Sequence, residues 1–462
     1  MNTHIPPPRG RSLLSIAFDD VDSGHGGCTT HFTGLLLMKL AERGVELADY
    51  PLLVRLNPGI PWKTRGNAAT VLRVWVSSDS ESRDIAEEAW SLALEYTEGR
   101  ELHAGKSPGM VVLEGWPWSP RLLWLYKRGV TGVLARDVVE RIVSKAGGVL
   151  VGGRGVLGAA AALASLPPKG DYTWELIAYR RPELWGEPRC TSFDSAVRAE
   201  ARMPPCTYNN LDFEARAVAA SPRGPDPVLA GFRGDCREYL GLYGEALCEK
   251  PHFWVLFRSN QHTDPHDNVE GEIYPYTYLA SNALVVDRPE VLPGGHTVVR
   301  ASVGGVRVDL TFYREAQPLN RVARLLGEGD LVRFHGSVRP YSPRGAPTIA
   351  VDKLEVLRVS RRVFSYAPSC PKCGSRMESA GRGSGYRCPR CGFRDRSAHR
   401  IEAPDTVLLS PGVYTPREGR LRHLTMPPWR ARAVWGGPSR LDPLYVSSPG
   451  SRPPPSTIPP NI

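Results

Sequence analysis

Two Cys-Pro-x-Cys-Gly turns near the C-terminal end restrict what this chain can fold into more tightly than any other feature. They are Cys370-Pro371-Lys372-Cys373-Gly374 and Cys388-Pro389-Arg390-Cys391-Gly392, with fourteen residues between Cys373 and Cys388. Four thiolates at this spacing meet around one tetrahedral Zn²⁺, and a site closed by four sulfurs leaves no position for a reacting water. Cys370, Cys373, Cys388 and Cys391 are therefore expected to hold a structural zinc, and the glycine after each second cysteine permits the tight knuckle. Lys372, Arg376, Arg382, Arg387, Arg390, Arg394 and Arg396 surround the cluster, which suits an RNA-facing ribbon. The chain has nine Cys, and the five outside this cluster are scattered. That usage predicts a reducing, cytoplasmic setting with one metal site and no disulfide framework.

A second constellation lies near the N-terminus. The apolar run Leu13 to Phe18 reads as a buried strand, and Phe32, Leu35, Leu36 and Leu40 recur at helical spacing up to Gly44. Between them stands Asp19-Asp20-Val21-Asp22-Ser23-Gly24-His25-Gly26-Gly27-Cys28-Thr29-Thr30, an acidic strand-to-helix turn. Asp19, Asp20 and Asp22 offer hard oxygen ligands for Mg²⁺, a cation that commonly also binds substrate phosphates. Gly26 and Gly27 let the backbone approach an anion, and the N–H groups of a hydroxyl-rich helix start, between Ser23 and Thr30, favour negative charge. The plain alternative is an acidic turn with an N-cap, but few such turns need three Asp beside three Gly.

Downstream, Asn57-Pro58-Gly59-Ile60-Pro61-Trp62-Lys63-Thr64-Arg65-Gly66-Asn67 separates two expected strands. On an extended segment Lys63, Arg65 and Asn67 point the same way, and such charges neutralise and orient a polyphosphate. Gly153-x-Gly155-x-x-Gly158 follows a strand and opens an Ala-rich helix, as a dinucleotide fingerprint does. The acidic residue that should end the next strand is missing, because Pro167-Pro168-Lys169-Gly170 intervenes before Asp171. Close helix packing through the glycines, with an anion at the helix start, is the preferred reading over NAD.

At 462 residues with a net charge of +10 the chain has room for several domains and favours a nucleic-acid partner. Its longest apolar run, Gly155 to Leu166, is too short for a bilayer, so no membrane partner is expected. The N-terminus is Pro-rich and reads as flexible to residue 11, with no secretory pattern. A low-complexity tail over 446–462 reads as disordered. Residues 12–170 alternate strands and helices, and 171–284 look like a small α+β domain. Over 285–360 the strands His296–Val303, Val306–Tyr313, Asp330–Val338 and Thr348–Val359 surround one helix, which fits an OB-type barrel. Residues 361–430 hold the ribbon and a C-terminal RNA-binding region. The expected fold class is multidomain α+β. Chemistry is expected in the N-terminal half and RNA binding in the C-terminal half, so that a chain ending near Val359 keeps the nucleotide site.

The chain resembles archaeal tRNA(Ile) 2-agmatinylcytidine synthetases. The likeness rests on Asp19-Asp20-Val21-Asp22-Ser23 with Gly27-Cys28-Thr29-Thr30, on Arg55 to Ala69, on Gly153 to Ala159, on Tyr172 to Arg180, and on Asn260-Gln261-His262-Thr263-Asp264. Val21 stands where the family usually has Thr, which leaves the carboxylates intact. The resemblance implies a kinase-like α/β catalytic domain, a ferredoxin-like α+β domain, an OB barrel and a zinc ribbon, in that order. It implies an ATP-dependent ligase for the isoleucine tRNA. ATP, ending as AMP and phosphate, activates the C2 oxygen of the wobble cytidine, and the agmatine amine displaces it. It also implies self-phosphorylation on Thr29. Asp19, Asp20, Asp22, Thr29, Lys63 and Arg65 are then the candidate catalytic residues. Ser23, Gly26, Gly27, Thr30, Asn67, Gly153 and Gly155 are candidates for holding ATP, with Mg²⁺ and Zn²⁺ as ions. Asp20 and Asp22 are each open as base or metal ligand. The rival readings are a non-enzymatic single-strand-binding protein built from barrel and ribbon, and a nicotinamide oxidoreductase.

Overall fold

In a computed structural model of the chain, the described residues are 8–22, 26–63, 66–98, 107–167, 170–267, 273–341, 343, 345–360, 363–404 and 409–430. The expectations for most of the N-terminal stretch, for the tail over 446–462, and for Ser23 and Arg65 lie outside them.

One nine-stranded sheet organises the first 260 residues. Its main path runs Val228–Gly234, Thr173–Tyr179, Phe253–Ser259, Leu52–Arg55, Ala68–Val76, Ser12–Asp19, Gly109–Glu114, Val149–Gly152. The short strand Glu46–Leu47 pairs with Ala68–Val76. The sheet crosses residue 170 without a break. Arg258 and Ser259 pair in parallel with Leu52 and Leu53, and every other described pairing in the sheet is antiparallel.

Strand Ser12–Asp19 is apolar on both faces because both are covered. Leu14, Ile16 and Phe18 pack with Phe32 and Leu36 of helix Thr29–Glu42 and with Ile85 of helix Asp79–Glu98. Ala17 faces the other layer, where helices Pro120–Thr131, Arg136–Lys145 and Val156–Leu163 bring Leu125, Val139 and Ala160. Strand Val149–Gly152 lies at the sheet edge, antiparallel to Gly109–Glu114. A dinucleotide fold needs parallel strands around its fingerprint, so the nicotinamide reading fails on topology.

The barrel begins with strand Tyr278–Val285, ahead of the boundary drawn at 285. Strands Thr297–Val303, Val306–Phe312, Leu331–Val338 and Thr348–Arg358 complete it. The pairing of Leu284 and Val285 with Ser302 and Ala301 closes the ring, and Asp309–Thr311 run parallel to Thr348–Ala350. Helix Leu319–Leu325 sits between the third and fourth strands. This is the OB connectivity.

Two disulfides, Cys190–Cys248 and Cys206–Cys236, correct the expectation that the scattered cysteines stay reduced; their Cα atoms are 5.2 and 5.8 Å apart. Spacing along the chain did not reveal them, because the partners are 58 and 30 residues apart and meet only once the chain has folded. The compartment argument fails as well where intracellular proteins are disulfide-rich, as in hyperthermophilic archaea. Among the described residues no helix is long and apolar enough to cross a membrane.

After the ribbon the chain turns back. Strand Gly412–Tyr414 pairs with Leu354–Val356 of the barrel, and the segment up to Arg430 then crosses to the large sheet. Leu424 is buried in the helical layer beneath the first strand, among Leu56, Val71 and Ala160. Arg430 ties the end down through Asp171, Asp235 and the carbonyl of His262.

Candidate active site

Asp19, the last residue of the first strand, and Asp20 just beyond it line an open cleft of about 140 Å³. Leu56, Ile60, Trp62, Lys63, Asn67, Arg154, Gly155 and Gly158 also line it. The acidic turn, the 57–67 loop and the glycine fingerprint, far apart in sequence, thus share one cavity. Asp20 adopts the left-handed conformation, φ 60°, its N–H bonded to Asp19 Oδ1 at 2.8 Å. Its own Oδ2 accepts from the Ser107 N–H at 3.1 Å and lies 3.5 Å from Arg154 Nη2. Burial, then the charge of Asp20, hold the Asp19 carboxyl well above the usual carboxylate range. A cation between the two would relieve that repulsion.

The fingerprint glycines exist for close approach. A Cβ on Gly158 would stand 1.8 Å from Asp19 Oδ2, and one on Gly155 2.4 Å from the Asp19 carbonyl oxygen. Gly153 is packed against Ser107 instead, where a Cβ would meet Oγ at 1.7 Å, and it does not line the cleft. The helix start that follows, at Val156, puts backbone N–H groups beside the carboxylates. Arg154, inside the fingerprint, was not among the sequence candidates. Its position between two glycines was the available signal.

The 57–67 loop is pinched shut at its base. Leu56 N–H donates to the Asn67 carbonyl at 2.9 Å, and Asn67 Nδ2 to the Asn57 carbonyl at 2.7 Å. Asn57 is fully buried and gives its amide N–H groups to the carbonyls of Gly132 and Tyr276, at 3.0 and 2.7 Å. Asn67 has φ 50°, so the segment is a turn-rich loop rather than an extended one, and its amide serves the loop's own backbone. Lys63 is half-buried in the cleft wall, its ammonium pushed below the usual lysine range by burial and then by Arg422.

Asp22, Gly26, Gly27, Thr29 and Thr30 do not line the cleft. Thr29 is the first residue of its fourteen-residue helix, with Cys28 as the N-cap residue. Gly27, φ 72°, brings the turn against the Tyr96 ring, and the Tyr96 hydroxyl accepts from the Cys28 N–H at 3.1 Å. Arg55, on the strand beside the loop, is buried with Glu175 and Arg233: Glu175 Oε2 is 3.5 Å from Arg55 Nη2, and Oε1 is 3.1 Å from Arg233 Nε. Gln261 donates to Glu175 Oε2. Burial pushes His262 down to about 3, so its imidazole is neutral.

Two described groups of side chains converge as metal ligands do. One is the four ribbon cysteines, with Cys370 and Cys391 sulfurs 3.5 Å apart and Cys373 and Cys388 likewise. Those separations are what sulfurs at about 2.3 Å from one tetrahedral Zn²⁺ require. The other is Asp264, His266 and Asp267, but the Lys353 ammonium already bridges its carboxylates at 2.5 and 2.8 Å. Asp19, Asp20 and Asp22 do not converge as a trio. Two carboxylates in the cleft still suit Mg²⁺, which usually takes one or two from protein and the rest from water and phosphate.

A cleft lined by two carboxylates, a lysine and an arginine, on a chain that also carries a closed five-stranded barrel and a basic zinc ribbon, fits the class of nucleotide-dependent enzymes of nucleic acid. Comparison with known proteins narrows the class. The family models described as TiaS TCKD domain, TiaS FLD domain and TiaS C-terminal zinc ribbon domain match residues 15–152, 153–266 and 367–405. The tRNA(Ile) 2-agmatinylcytidine synthetase TiaS of Acidilobus saccharovorans is 50% identical over 416 residues, 89% of this chain and 93% of that protein. The crystal structure of a TiaS complex with isoleucine tRNA and ATP superposes with a TM-score of 0.79 at 29% identity, covering 93% of this chain and 99% of that one. A TiaS complex with isoleucine tRNA, AMPCPP and agmatine gives 0.76 at 26%, with the same coverages. The chain belongs to the TiaS family, the tRNA(Ile) 2-agmatinylcytidine synthetases.

Proposed function

We propose that this chain is the ligase that joins agmatine to C2 of the wobble cytidine of the AUA-decoding isoleucine tRNA, using ATP. The observation that carries this reading is the meeting of Asp19, Asp20, Lys63 and Arg154 in one cleft from three distant segments. A carbonyl oxygen leaves poorly until it is phosphorylated. The C2 oxygen attacks the γ-phosphorus as its bond to the β-phosphate oxygen breaks and ADP leaves. The amine then forms the C–N bond at C2 and that oxygen departs with the phosphate. Hydrolysis of the β-phosphate from ADP by water leaves AMP and a second phosphate. Lys63 and Arg154 offset the charge that spreads over the transferring group. Asp19 and Asp20 would hold Mg²⁺, which neutralises and orients the triphosphate. The amine must lose a proton before it attacks, and a cleft carboxylate is the acceptor within reach.

Thr29, at a helix start where N–H groups favour an added phosphate, supports the reading of that residue as a phosphate acceptor. Asp22, Gly26, Gly27 and Thr30 then shape the turn that carries it. A kinase-like unit over 12–170 and a ferredoxin-like unit that shares its sheet and ends before Tyr278 support this reading, with a barrel that takes in strand Tyr278–Val285 and a ribbon region over 361–430. A tRNA substrate supports a cytoplasmic setting. Mass spectrometry of the isoleucine tRNA after incubation with ATP and agmatine is the test: the cytidine should gain agmatine with loss of water. Unmodified cytidine with ATP and Mg²⁺ present would refute the reading in favour of a binding protein.

A further inference from the structure

The segment that returns from the ribbon does more than close the chain. Its carbonyls and N–H groups form a two-sided ladder with the 260–267 turn. The His262 N–H donates to the His423 carbonyl at 2.7 Å and Asp264 N–H to the Leu424 carbonyl at 3.0 Å, while Met426 N–H donates to Asp264 Oδ1 at 2.7 Å. On the barrel side Arg422 Nε is 3.2 Å from the buried Asp352 carboxylate. This fixes His423 with little freedom, and its ring points at the 57–67 loop.

Two contacts define what the ring does. Nδ1 is 2.9 Å from Gln261 Oε1, an oxygen that can only accept, so Nδ1 carries the proton. Gln261 in turn holds Glu175, which holds Arg55 and Arg233. The Nε2 edge lies against Gly66, where a Cβ would meet it at 3.2 Å and meet Arg55 Nη1 at 2.6 Å. The Arg55 guanidinium and the His423 imidazole thus both close the open face of Gly66, where a side chain would project, three residues from Lys63 and next to Asn67. Burial keeps the imidazole well below its usual range, so this contact is made by a neutral ring.

We propose that His423 is a positioning residue for the loop that carries Lys63: from the segment that returns after the ribbon, its ring and the Arg55 guanidinium together clamp the open face of Gly66 and so set Lys63 in the cleft. The assay for this borrows the activity proposed above, but a second readout does not. In full-length His423→Ala, hydrogen exchange should rise across 57–67 and stay unchanged in the first strand and in the barrel. Turnover should fall by about ten- to a hundredfold, the usual cost of a misplaced catalytic group, with KM for ATP little moved. Gly66→Ala presses on the same contact from the loop side. Its Cβ would meet the Arg55 guanidinium at 2.6 Å and the ring at 3.2 Å, and His423→Ala opens room for that guanidinium to shift, so the combination should cost less than the product of the two single losses. Unchanged exchange in the loop, multiplicative losses in the double variant, or wholesale unfolding of His423→Ala would each overturn the proposal. If the parent enzyme fails to modify tRNA while the exchange result holds, the functional reading falls and the clamp stands.

Discussion

Single residues in the cleft act through very short distances. Gly158→Ala should displace the Asp19 carboxylate, because the new Cβ would sit 1.8 Å from its Oδ2. ATP consumption should fall by about tenfold or more while tRNA affinity is kept. Equal ATP turnover in that variant would mean that Asp19 can move without consequence. Lys63→Ala should cost about a hundredfold in turnover, the scale of one electrostatic transition-state contact. The pH dependence follows from the direction of its shift. Lys63 is pushed below the usual lysine range, so it loses its proton at a lower pH than a free lysine does, and activity that needs the charge falls early on the alkaline side. Lys63→Arg should carry that limb to higher pH, and a profile unaltered by the exchange would show that another group titrates. The acidic turn and Lys63 were legible in sequence because each sits in a short unusual string. Asn67 was legible only as a polar residue. Its φ of 50° and its bond to Asn57 direct it to the loop's own backbone.

Elements differed in how much of them local pattern reveals. Both knuckles behave as their glycines predict: Gly374 and Gly392 have φ of 73° and 74°, and each donates its N–H back to the first cysteine of its turn. Cys373→Ser should therefore lose zinc and weaken tRNA binding while ATP binding persists, and stoichiometric zinc in that variant would rule out a four-cysteine site. Over 237–246 the chain forms a short helix, Arg237–Leu240, followed by the 3-10 turn Gly241–Ala246, because Gly241 and Gly244 weaken an α-helix there. Strands Gly109–Glu114 and Tyr278–Val285 were not read at all. The second carries Ser281 and Asn282 in its middle, so no clean alternation marks it, and it is a strand because Leu331–Val338 pairs along its length.

At the scale of the whole molecule the expected split between a catalytic N-terminal half and an RNA-binding C-terminal half needs revision. A chain cut after Val359 loses Leu424 from the core beneath the first strand and leaves Asp235 without Arg430. Removing one partner of such a buried pair costs roughly 3–5 kcal/mol. That truncation should lower thermal stability and ATP turnover together. Deleting only 363–404 and joining the ends should spare both and reduce tRNA affinity, with the difference shrinking at high salt because phosphate contacts release counterions. Calorimetry and filter binding on the two shortened chains decide this, and equal behaviour of the two would show that the returning segment is passive. The sequence by itself determined what is local: the zinc ligands, the strand-to-helix acid turn, four of the five barrel strands, and a family likeness carried by contiguous motifs. Only the tertiary structure decided what is distant. It joined two expected domains through one parallel strand pair, paired cysteines 58 and 30 residues apart, placed Arg154 on Asp20, and brought His423 to Gly66. A local pattern records the backbone and packing needs of its own few residues. Which remote segment answers them is settled by the burial and hydrogen bonding of the whole chain at once.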